Sequence, residues 1–209
     1  MDSALLQLAQ LRCERDDRVL FADLSLQARA AELWQVSGGN GAGKTTLLRI
    51  IAGLHGDFHG VVRWPSAQAA GQDPRQQMLM LGHRPGLRGE LTALENLNWW
   101  LALHQQRLDR ATAMTALARL GLAGYETVPV MRLSAGQQRR VALSLLWLLD
   151  KQVWLLDEPF TALDSAGVAL IEARLTELTT GGALVMFSSH HCLDQQARHI
   201  QLGSTTEVA

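Results

Sequence analysis

The segment at residues 38–45 carries the residue types best suited to binding phosphate. It matches the pattern G-x-x-x-x-G-K-[ST] at every fixed position, with a strand pattern before it and a helical pattern after it. Glycines let successive N–H groups point at one anion, and the positive end of the helix adds to the attraction. We predict that Lys44 reaches the β- and γ-phosphates of a nucleotide and that the Thr45 hydroxyl ligates Mg²⁺. The nucleotide-binding residues predicted here are Gly38, Gly39, Asn40, Gly41, Ala42, Gly43, Lys44, Thr45 and Thr46.

A second candidate for phosphate chemistry is the acidic pair Asp157 and Glu158, which ends the apolar run at residues 153–156. Buried strands of parallel sheets read as continuous apolar runs, so the first charge marks the carboxyl edge of a sheet, where ligands bind in open α/β folds. We predict that Asp157 holds Mg²⁺ through water and that Glu158 polarises the attacking water. Taken alone, such a pair is also typical of a solvated strand end.

The elements that must position these residues alternate between strands and helices at both ends of the chain. Hydrophobic patterning predicts strands at 4–12, 19–28, 33–36, 60–64, 77–82, 153–156, 183–187 and 198–202. Helices are predicted after residue 44, three times between 90 and 150, and at 165–179. Thr92 and Glu95 have the spacing of a capping box at the start of the first of those three helices. This order indicates a parallel-sheet α/β core that carries a helical insertion.

Length and composition exclude several classes of protein. The chain has 209 residues, 47% hydrophobic and 19% charged, which suits one domain or one core with a grafted subdomain. Nineteen basic and twenty acidic residues give a net charge of -1, which disfavours binding to nucleic acid. Cys13 and Cys192 fit neither a disulfide framework nor a multi-cysteine metal site. No apolar run reaches the ~20 residues of a spanning helix and no signal sequence is recognised, so we expect a cytoplasmic protein.

Further motifs accompany the phosphate loop and the acidic pair. Residues 133–140 read L-S-A-G-Q-Q-R-R and look like the signature motif of ABC-type ATPases, usually written L-S-G-G-Q. Residues 156–164 resemble the joined Walker B motif and D-loop of that family, and Ser188-Ser189-His190 resembles its switch-histidine loop. The motifs follow the family's order across about residues 5–202, and the chain therefore resembles an ABC-type ATPase.

The resemblance implies an α/β fold, with a P-loop NTPase (RecA-like) core, an antiparallel β subdomain and an inserted α-helical subdomain. It implies a single ABC ATPase domain over residues 1–209. Residues 1–83 and 151–209 would form the catalytic core, and residues 84–150 the helical subdomain with the signature motif. The implied ligands are ATP and Mg²⁺, and the implied reaction is hydrolysis of ATP to ADP and phosphate.

The same resemblance implies roles for individual residues. The catalytic residues would be Lys44, Glu158 and His190, with His190 contacting the γ-phosphate and positioning Glu158 and water. The residues that bind the ATP of another subunit, so that two chains sandwich two nucleotides, would be Ser134, Gly136 and Gln137. Independently of any resemblance, Ser134 is able to cap the helix that follows, and its hydroxyl and the nearby N–H groups form an anion site.

The chain departs from the family pattern at three positions. His83 stands where the family has a glutamine, and it would still be able to bond Mg²⁺-bound water or the γ-phosphate. An ordinary turn at residues 82–86 is the alternative interpretation of that segment. Arg15 falls near the place where the family stacks adenine on an aromatic side chain, and a guanidinium is also able to stack on a base. Ala135 replaces a glycine of the signature motif.

Within the family, the segments at 13–16, 82–86, 91–97 and 134–143 are similar to the haem-exporter ATPases of bacterial cytochrome c maturation. That similarity implies an integral membrane permease, a second and identical ATPase subunit, and haem-handling maturation proteins as partners. It places the chain on the cytoplasmic face of the inner membrane, held there by its permease. The alternatives are the ATPase of another small exporter, a soluble ABC ATPase without a transport role, or a small-molecule kinase.

Overall fold

Strands and helices alternate at both ends of the chain, and helices alone fill most of its middle. The computed structural model describes residues 4–16, 18–189, 197–203 and 207–208. The strands are β1 (Leu6–Arg15), β2 (Arg18–Ala28), β3 (Leu33–Ser37), β4 (His59–Arg63), β5 (Met78–Leu81), β6 (Val153–Asp157), β7 (Leu184–Ser188), β8 (Arg198–Gln201) and β9 (Glu207–Val208). The α-helices are α1 (Lys44–Ile51), α2 (Pro65–Ala69), α3 (Ala93–Leu103), α4 (Arg110–Arg119), α5 (Ala135–Leu143) and α6 (Ser165–Thr180). The sequence pattern predicts all of these except α2 and β9.

A mostly parallel sheet brings the carboxyl ends of its central strands to one edge. Its strand order is β5-β6-β7-β3-β8-β9, and all neighbouring pairs are parallel except β8 with β9. β6 and β7 are buried along their whole length, as apolar strands covered on both faces should be. The register places Asp157, at the end of β6, opposite Ser188, at the end of β7.

The first two strands form an antiparallel hairpin, and β4 pairs with the far side of β1 to complete a three-stranded sheet. Pairing continues to Arg15 and Arg18, so both strands extend further into the polar connection than the sequence predicts. One cluster of buried apolar side chains joins this sheet to α1 and to the parallel sheet, and it includes Phe21, Leu47 and Trp34. The architecture is the predicted α/β core with an antiparallel β subdomain.

Contacts between residues divide the chain into two compact units. The first comprises residues 1–83, 151–159 and 172–209, and the second comprises 84–150 and 160–171. The second unit thus includes the residues just after the acidic pair as well as the predicted helical insertion. The division into a catalytic core and a signature-bearing subdomain stays a prediction. Within the described ranges, no helix has both the length and the apolarity needed to cross a membrane.

A capping box begins the first long helix of the second unit. The Thr92 hydroxyl accepts a hydrogen bond from the Glu95 N–H at 3.2 Å, and the Glu95 carboxylate accepts one from the Thr92 N–H at 2.8 Å. The predicted box is therefore confirmed. The N–H and the hydroxyl of Thr92 also hold the pKa of Glu95 below its ordinary value, because both donate to the ionised carboxylate.

A fully buried asparagine fastens the segment that precedes α3. The side-chain oxygen of Asn96 accepts from the Arg88 N–H at 2.7 Å. Its amide nitrogen donates to the carbonyls of Arg88, Leu91 and Thr92 at 3.0, 3.1 and 3.0 Å. Because a buried amide is costly unless it is hydrogen-bonded, these contacts stabilise one conformation of residues 88–92 against the helix.

Candidate nucleotide-binding site

Glycine is required at two positions around the loop that joins β3 to α1. Gly38 has a φ of 144°, and a Cβ at this position would lie 2.5 Å from the carbonyl oxygen of Leu202. Gly43, which immediately precedes α1, has a φ of 97°, and its Cβ would lie 3.0 Å from the Cβ of Leu20. Each position combines left-handed backbone with a close neighbour, so only glycine lets the neighbouring segments approach the loop so closely.

Lys44 begins α1 and turns its ammonium group back toward the loop. Its Nζ donates to the carbonyl oxygens of Gly38 at 2.9 Å and Gly39 at 3.4 Å, and it lies 3.8 Å from Oε1 of Glu158. The side chain is only 9% exposed. This cation at a helix N-terminus is positioned to attract an anion that enters the loop.

Three oxygen-bearing side chains meet where β6, β7 and α1 end or begin. Thr45 Oγ1 donates to the Asp157 carboxylate, with oxygen–oxygen distances of 2.8 and 3.0 Å. The Ser188 hydroxyl donates to Oδ1 of Asp157 at 2.7 Å. Asp157 and Ser188 are fully buried. The carboxylate thus accepts hydrogen bonds from two hydroxyl groups.

Glu158 occupies an unusual backbone conformation directly after β6. Its φ is 52°, in the left-handed region that residues other than glycine rarely adopt. Its N–H donates to the hydroxyl of Ser188 at 2.9 Å and to the carbonyl of Ser188 at 3.1 Å. These bonds hold the turn that carries the Glu158 side chain, which is 21% exposed.

A cavity of about 480 Å³ lies over the loop. Its polar walls come from the loop itself, the start of α1, the acidic residue after β6 and the tip of the β1–β2 hairpin. The lining residues are Arg15, Asp16, Arg18, Leu20, Gly39, Asn40, Gly41, Ala42, Gly43, Lys44, Thr45, Thr46 and Glu158. Of these described residues, three contribute cationic side chains and two contribute carboxylates, and the N-terminus of α1 adds positive potential. The cavity therefore suits an anion such as a polyphosphate.

The signature-like segment lies in the second unit, at the N-terminus of α5. The Ser134 hydroxyl accepts from the Gln137 N–H at 3.2 Å, and the Gln137 side chain accepts from the Ser134 N–H at 2.9 Å. This is a capping box, which confirms Ser134 as a helix cap and gives Gln137 a structural task that the sequence analysis did not foresee. Ser134 and Ala135 are exposed, so this helix end is open to a ligand.

Two contacts join α5 to the loop that precedes α6. A Cβ on Gly136 would lie 2.9 Å from the carbonyl oxygen of Ala162, so glycine permits this close approach. Arg140 forms an ion pair with Asp164 at 3.0 Å. The Gly167 N–H and the Arg140 guanidinium lower the pKa of Asp164, because both favour its ionised form. The signature-like segment and the D-loop-like segment therefore support each other within one unit.

The structure brings together most of the residues that the sequence assigns to phosphate binding, with Lys44, Thr45, Asp157 and Glu158 around one cavity edge. His83 is exposed after β5 and does not line that cavity. His190 lies outside the described residues. Sequence reasoning assigned no role to Ser188. The pairing of β6 with β7 is the signal that identifies it.

Comparisons with known proteins find a match to an ABC transporter family and relatives that are named as ATP-binding export proteins. A family described as ABC transporter matches residues 21–161. The cytochrome c biogenesis ATP-binding export protein CcmA of Alcanivorax borkumensis is 51% identical over 197 residues, which cover 94% of this chain and 87% of the relative. Its namesake in Vibrio cholerae is 47% identical over 204 residues, 95% of this chain and 99% of the relative. The namesake in Escherichia coli strain K12 is 44% identical over 207 residues, 98% of both.

Solved structures show the same fold. An ATP-binding subunit of an ABC transporter superimposes with a TM-score of 0.79 at 23% identity, covering 95% of this chain and 85% of the other. A Pyrococcus furiosus protein described as an ABC transporter ATP-binding protein gives a TM-score of 0.81 at 20% identity, covering 97% and 99%. These matches confirm the predicted fold class.

Proposed function

Because the chain belongs to the ABC transporter family, we propose that it is the ATP-hydrolysing subunit of an exporter that serves cytochrome c biogenesis. Binding and hydrolysis of ATP follow from the family, and the export role is supported by the names of relatives 44 to 51% identical over nearly the whole chain. The observation that carries the proposal is the cavity edge where Lys44, Thr45, Asp157 and Glu158 converge.

The phosphate loop would bind the triphosphate through its backbone N–H groups and through Lys44. The ammonium group of Lys44 donates to two loop carbonyls and lies 3.8 Å from Oε1 of Glu158. A polyphosphate offers that cation more negative charge than the single carboxylate does. On binding, we expect Lys44 to move its main interaction to the β- and γ-phosphates, which releases Glu158 to act on water.

Thr45 and Asp157 fit a magnesium ion. Both present oxygen atoms, which Mg²⁺ prefers, and the buried carboxylate holds its charge close to the hydroxyl at the start of α1. When bound, Mg²⁺ supplies positive charge that neutralises the phosphate oxygens. The hydrogen bond from Ser188 to Oδ1 would keep the Asp157 carboxylate oriented when the ion is bound.

Glu158 is the residue that we assign to polarising the attacking water. Its carboxylate lines the cavity, and its turn is held by the backbone and side chain of Ser188. Family resemblance assigns His190 a contact with the γ-phosphate, where it would position Glu158 and water. It likewise assigns His83 a contact with Mg²⁺-bound water or with the γ-phosphate.

Ser134, Gly136 and Gln137 would complete the nucleotide site of a second, identical subunit. The exposed N-terminus of α5 supports this assignment, since a helix N-terminus with a serine cap attracts phosphate. Two chains would then enclose two ATP molecules and separate after hydrolysis. The subunit would act through an integral membrane permease at the cytoplasmic face of the inner membrane, with haem-handling proteins as further partners.

Replacement of the assigned water-polarising residue tests this function. Glu158→Gln should keep ATP binding, lower phosphate release by about 100-fold or more, and accumulate an ATP-bound dimer. Glu177→Gln is the matched control, because Glu177 is exposed on α6 and pairs only with Arg174 among the described residues. Isothermal titration, phosphate release and light scattering give the three measurements.

Each outcome addresses a different part of the proposal. Hydrolysis at the wild-type rate by Glu158→Gln would exclude Glu158 as the base. Full turnover that does not depend on protein concentration in a strictly monomeric sample would exclude the shared site. Recovery of the chain from cells without a polytopic membrane protein would contradict the exporter assignment.

A further inference from the structure

We propose that Arg18, at the start of β2, is a second phosphate-binding cation of this site and contacts the triphosphate alongside Lys44. The inference rests on the ATP binding proposed above and identifies a specificity-determining residue outside the phosphate-loop motif. The ligand of Arg18 would be the polyphosphate chain of the nucleotide, whichever base the nucleotide carries.

The packing of β2 against the loop sets the position of Arg18. The Leu20 Cβ and the Phe21 ring carbon Cδ1 lie 3.0 and 3.2 Å from the place of a Cβ on Gly43, so this strand is fastened to the loop. The register of the hairpin shifts at Leu20, so Leu20 and Phe21 both pack against the loop. Nη1 of Arg18 lies 4.0 Å from the place of a Cβ on Gly41, and Arg18 lines the cavity over the loop.

The charge of Arg18 is available to a ligand. Among residues 4–16, 18–189, 197–203 and 207–208, no hydrogen bond or ion pair engages its guanidinium. By contrast, Arg15 on the other hairpin strand lies 3.4 Å from Asp16, and Lys44 is already held by the loop and near Glu158. Among the residues that the structure describes, Arg18 is therefore the cation of the cavity lining that has the fewest partners within the protein.

The composition of the cavity favours a phosphate contact over a base contact for this side chain. None of the described residues that line the 480 Å³ cavity is aromatic, and Arg18 lies beside the glycines of the phosphate loop. A guanidinium presents parallel N–H donors that match two oxygens of one phosphate group. Arg18 would thus increase affinity for nucleotides in proportion to the charge of their phosphate chain.

Binding measurements on Arg18→Ala, with Mg²⁺ present, test the inference. The probes are ATP, AMP and inorganic tripolyphosphate, which competes for the site without a base. We expect Arg18→Ala to weaken ATP and tripolyphosphate roughly fivefold to thirtyfold, and AMP much less. Arg18→Lys should restore part of the loss, and the difference from wild type should narrow at high salt because the contact is exposed. Arg63→Ala, an exposed arginine on β4 outside the cavity, is the matched control.

The alternative roles of Arg18 give different patterns. A loss of ATP affinity with unchanged tripolyphosphate affinity would mean a base or ribose contact and would overturn the inference. Unchanged affinity of Arg18→Ala for ATP and for tripolyphosphate would also overturn the inference, provided that Lys44→Ala abolishes binding in the same assay. If the wild-type chain bound neither ATP nor tripolyphosphate, the proposed function itself would fail. Circular dichroism and thermal melting should be unchanged in Arg18→Ala, since this exposed side chain makes no packing contact within the core.

Discussion

Ser188→Ala removes one hydroxyl group that holds both acidic residues of the site. In the wild-type chain this hydroxyl donates to Oδ1 of Asp157 at 2.7 Å and accepts from the N–H of Glu158 at 2.9 Å. Ser188 is fully buried, so its hydroxyl is shielded from bulk water and a methyl group in its place restores neither bond. We therefore expect this single oxygen atom to contribute to both stability and catalysis.

The two bonds do not contribute equally. The Glu158 N–H keeps a second acceptor, the Ser188 carbonyl at 3.1 Å, so its loss is partly compensated. Asp157, which is fully buried, loses the Ser188 donor and keeps the hydrogen bond from Thr45. A hydrogen bond to a charged group is worth about 1.5–3 kcal/mol, and we expect a loss of about 2 kcal/mol in the free energy of unfolding. For a chain of this size that corresponds to a fall of about 4–8 °C in Tm.

Urea denaturation and steady-state ATPase assays measure the two effects. We expect kcat to fall by roughly tenfold, with a smaller change in KM, since the phosphate loop is untouched and only the carboxylates lose their support. Ser144→Ala is the matched control. Ser144 is also fully buried, but within the described part of the chain its hydroxyl donates only to the carbonyl of Val141, in the last turn of the preceding helix α5, at 2.7 Å.

Three results would refute this reasoning. A change in unfolding free energy no larger than that of Ser144→Ala would mean that the bond to Asp157 adds nothing to stability. An unchanged kcat in a destabilised Ser188→Ala would mean that the hydroxyl does not orient the carboxylates for chemistry. A fall in ATP affinity equal to the fall in kcat would assign Ser188 to nucleotide binding instead.

Two further predictions concern buried groups away from the cavity edge. Asn96→Ala should lower the free energy of unfolding by about 2 kcal/mol, because it leaves the Arg88 N–H without its buried acceptor. The carbonyls of Arg88, Leu91 and Thr92 lose the side-chain amide but each keeps a backbone N–H donor. Urea denaturation measures the change, and a loss below about 1 kcal/mol would contradict the prediction. Burial raises the pKa of the Cys13 thiol, which lowers the fraction of reactive thiolate at neutral pH. In a Cys192→Ser background, alkylation of Cys13 at pH 7 should be at least about tenfold slower in the folded than in the denatured chain, and should accelerate with rising pH, as followed by mass spectrometry.

Features that depend on consecutive residues were predictable from the sequence. The phosphate loop requires its glycines, lysine and threonine in one order between a strand and a helix, and β3 and α1 flank the loop as expected. The same holds for the Thr92–Glu95 capping box, which is complete within four residues. The apolar run that ends in Asp157 forms the buried strand β6, as expected for a strand covered on both faces of a parallel sheet.

Features that depend on pairing between distant segments were not predictable. Ser188 acts on Asp157 only because β6 and β7 are parallel neighbours in one register, and a shift of one residue would turn the hydroxyl to the other face. Arg18 reaches the loop only because Leu20 packs on Gly43. Asn96 occupies a fully buried position on α3, a position that hydrophobic patterning assigns to an apolar residue.

The backbone conformation of Glu158 argues against the alternative interpretation of the acidic pair as a solvated strand end. A left-handed φ of 52° at a glutamate costs on the order of 1 kcal/mol relative to ordinary conformations, so solvation of a charged strand end gives no reason for it. Two hydrogen bonds from its N–H to Ser188 maintain the conformation, and the side chain consequently faces the cavity and Lys44. Backbone strain of this kind lowers stability slightly, and it is typical of functional sites, where a side chain must be held in one orientation. The same serine thus holds both Asp157 and Glu158, to which we assign different tasks.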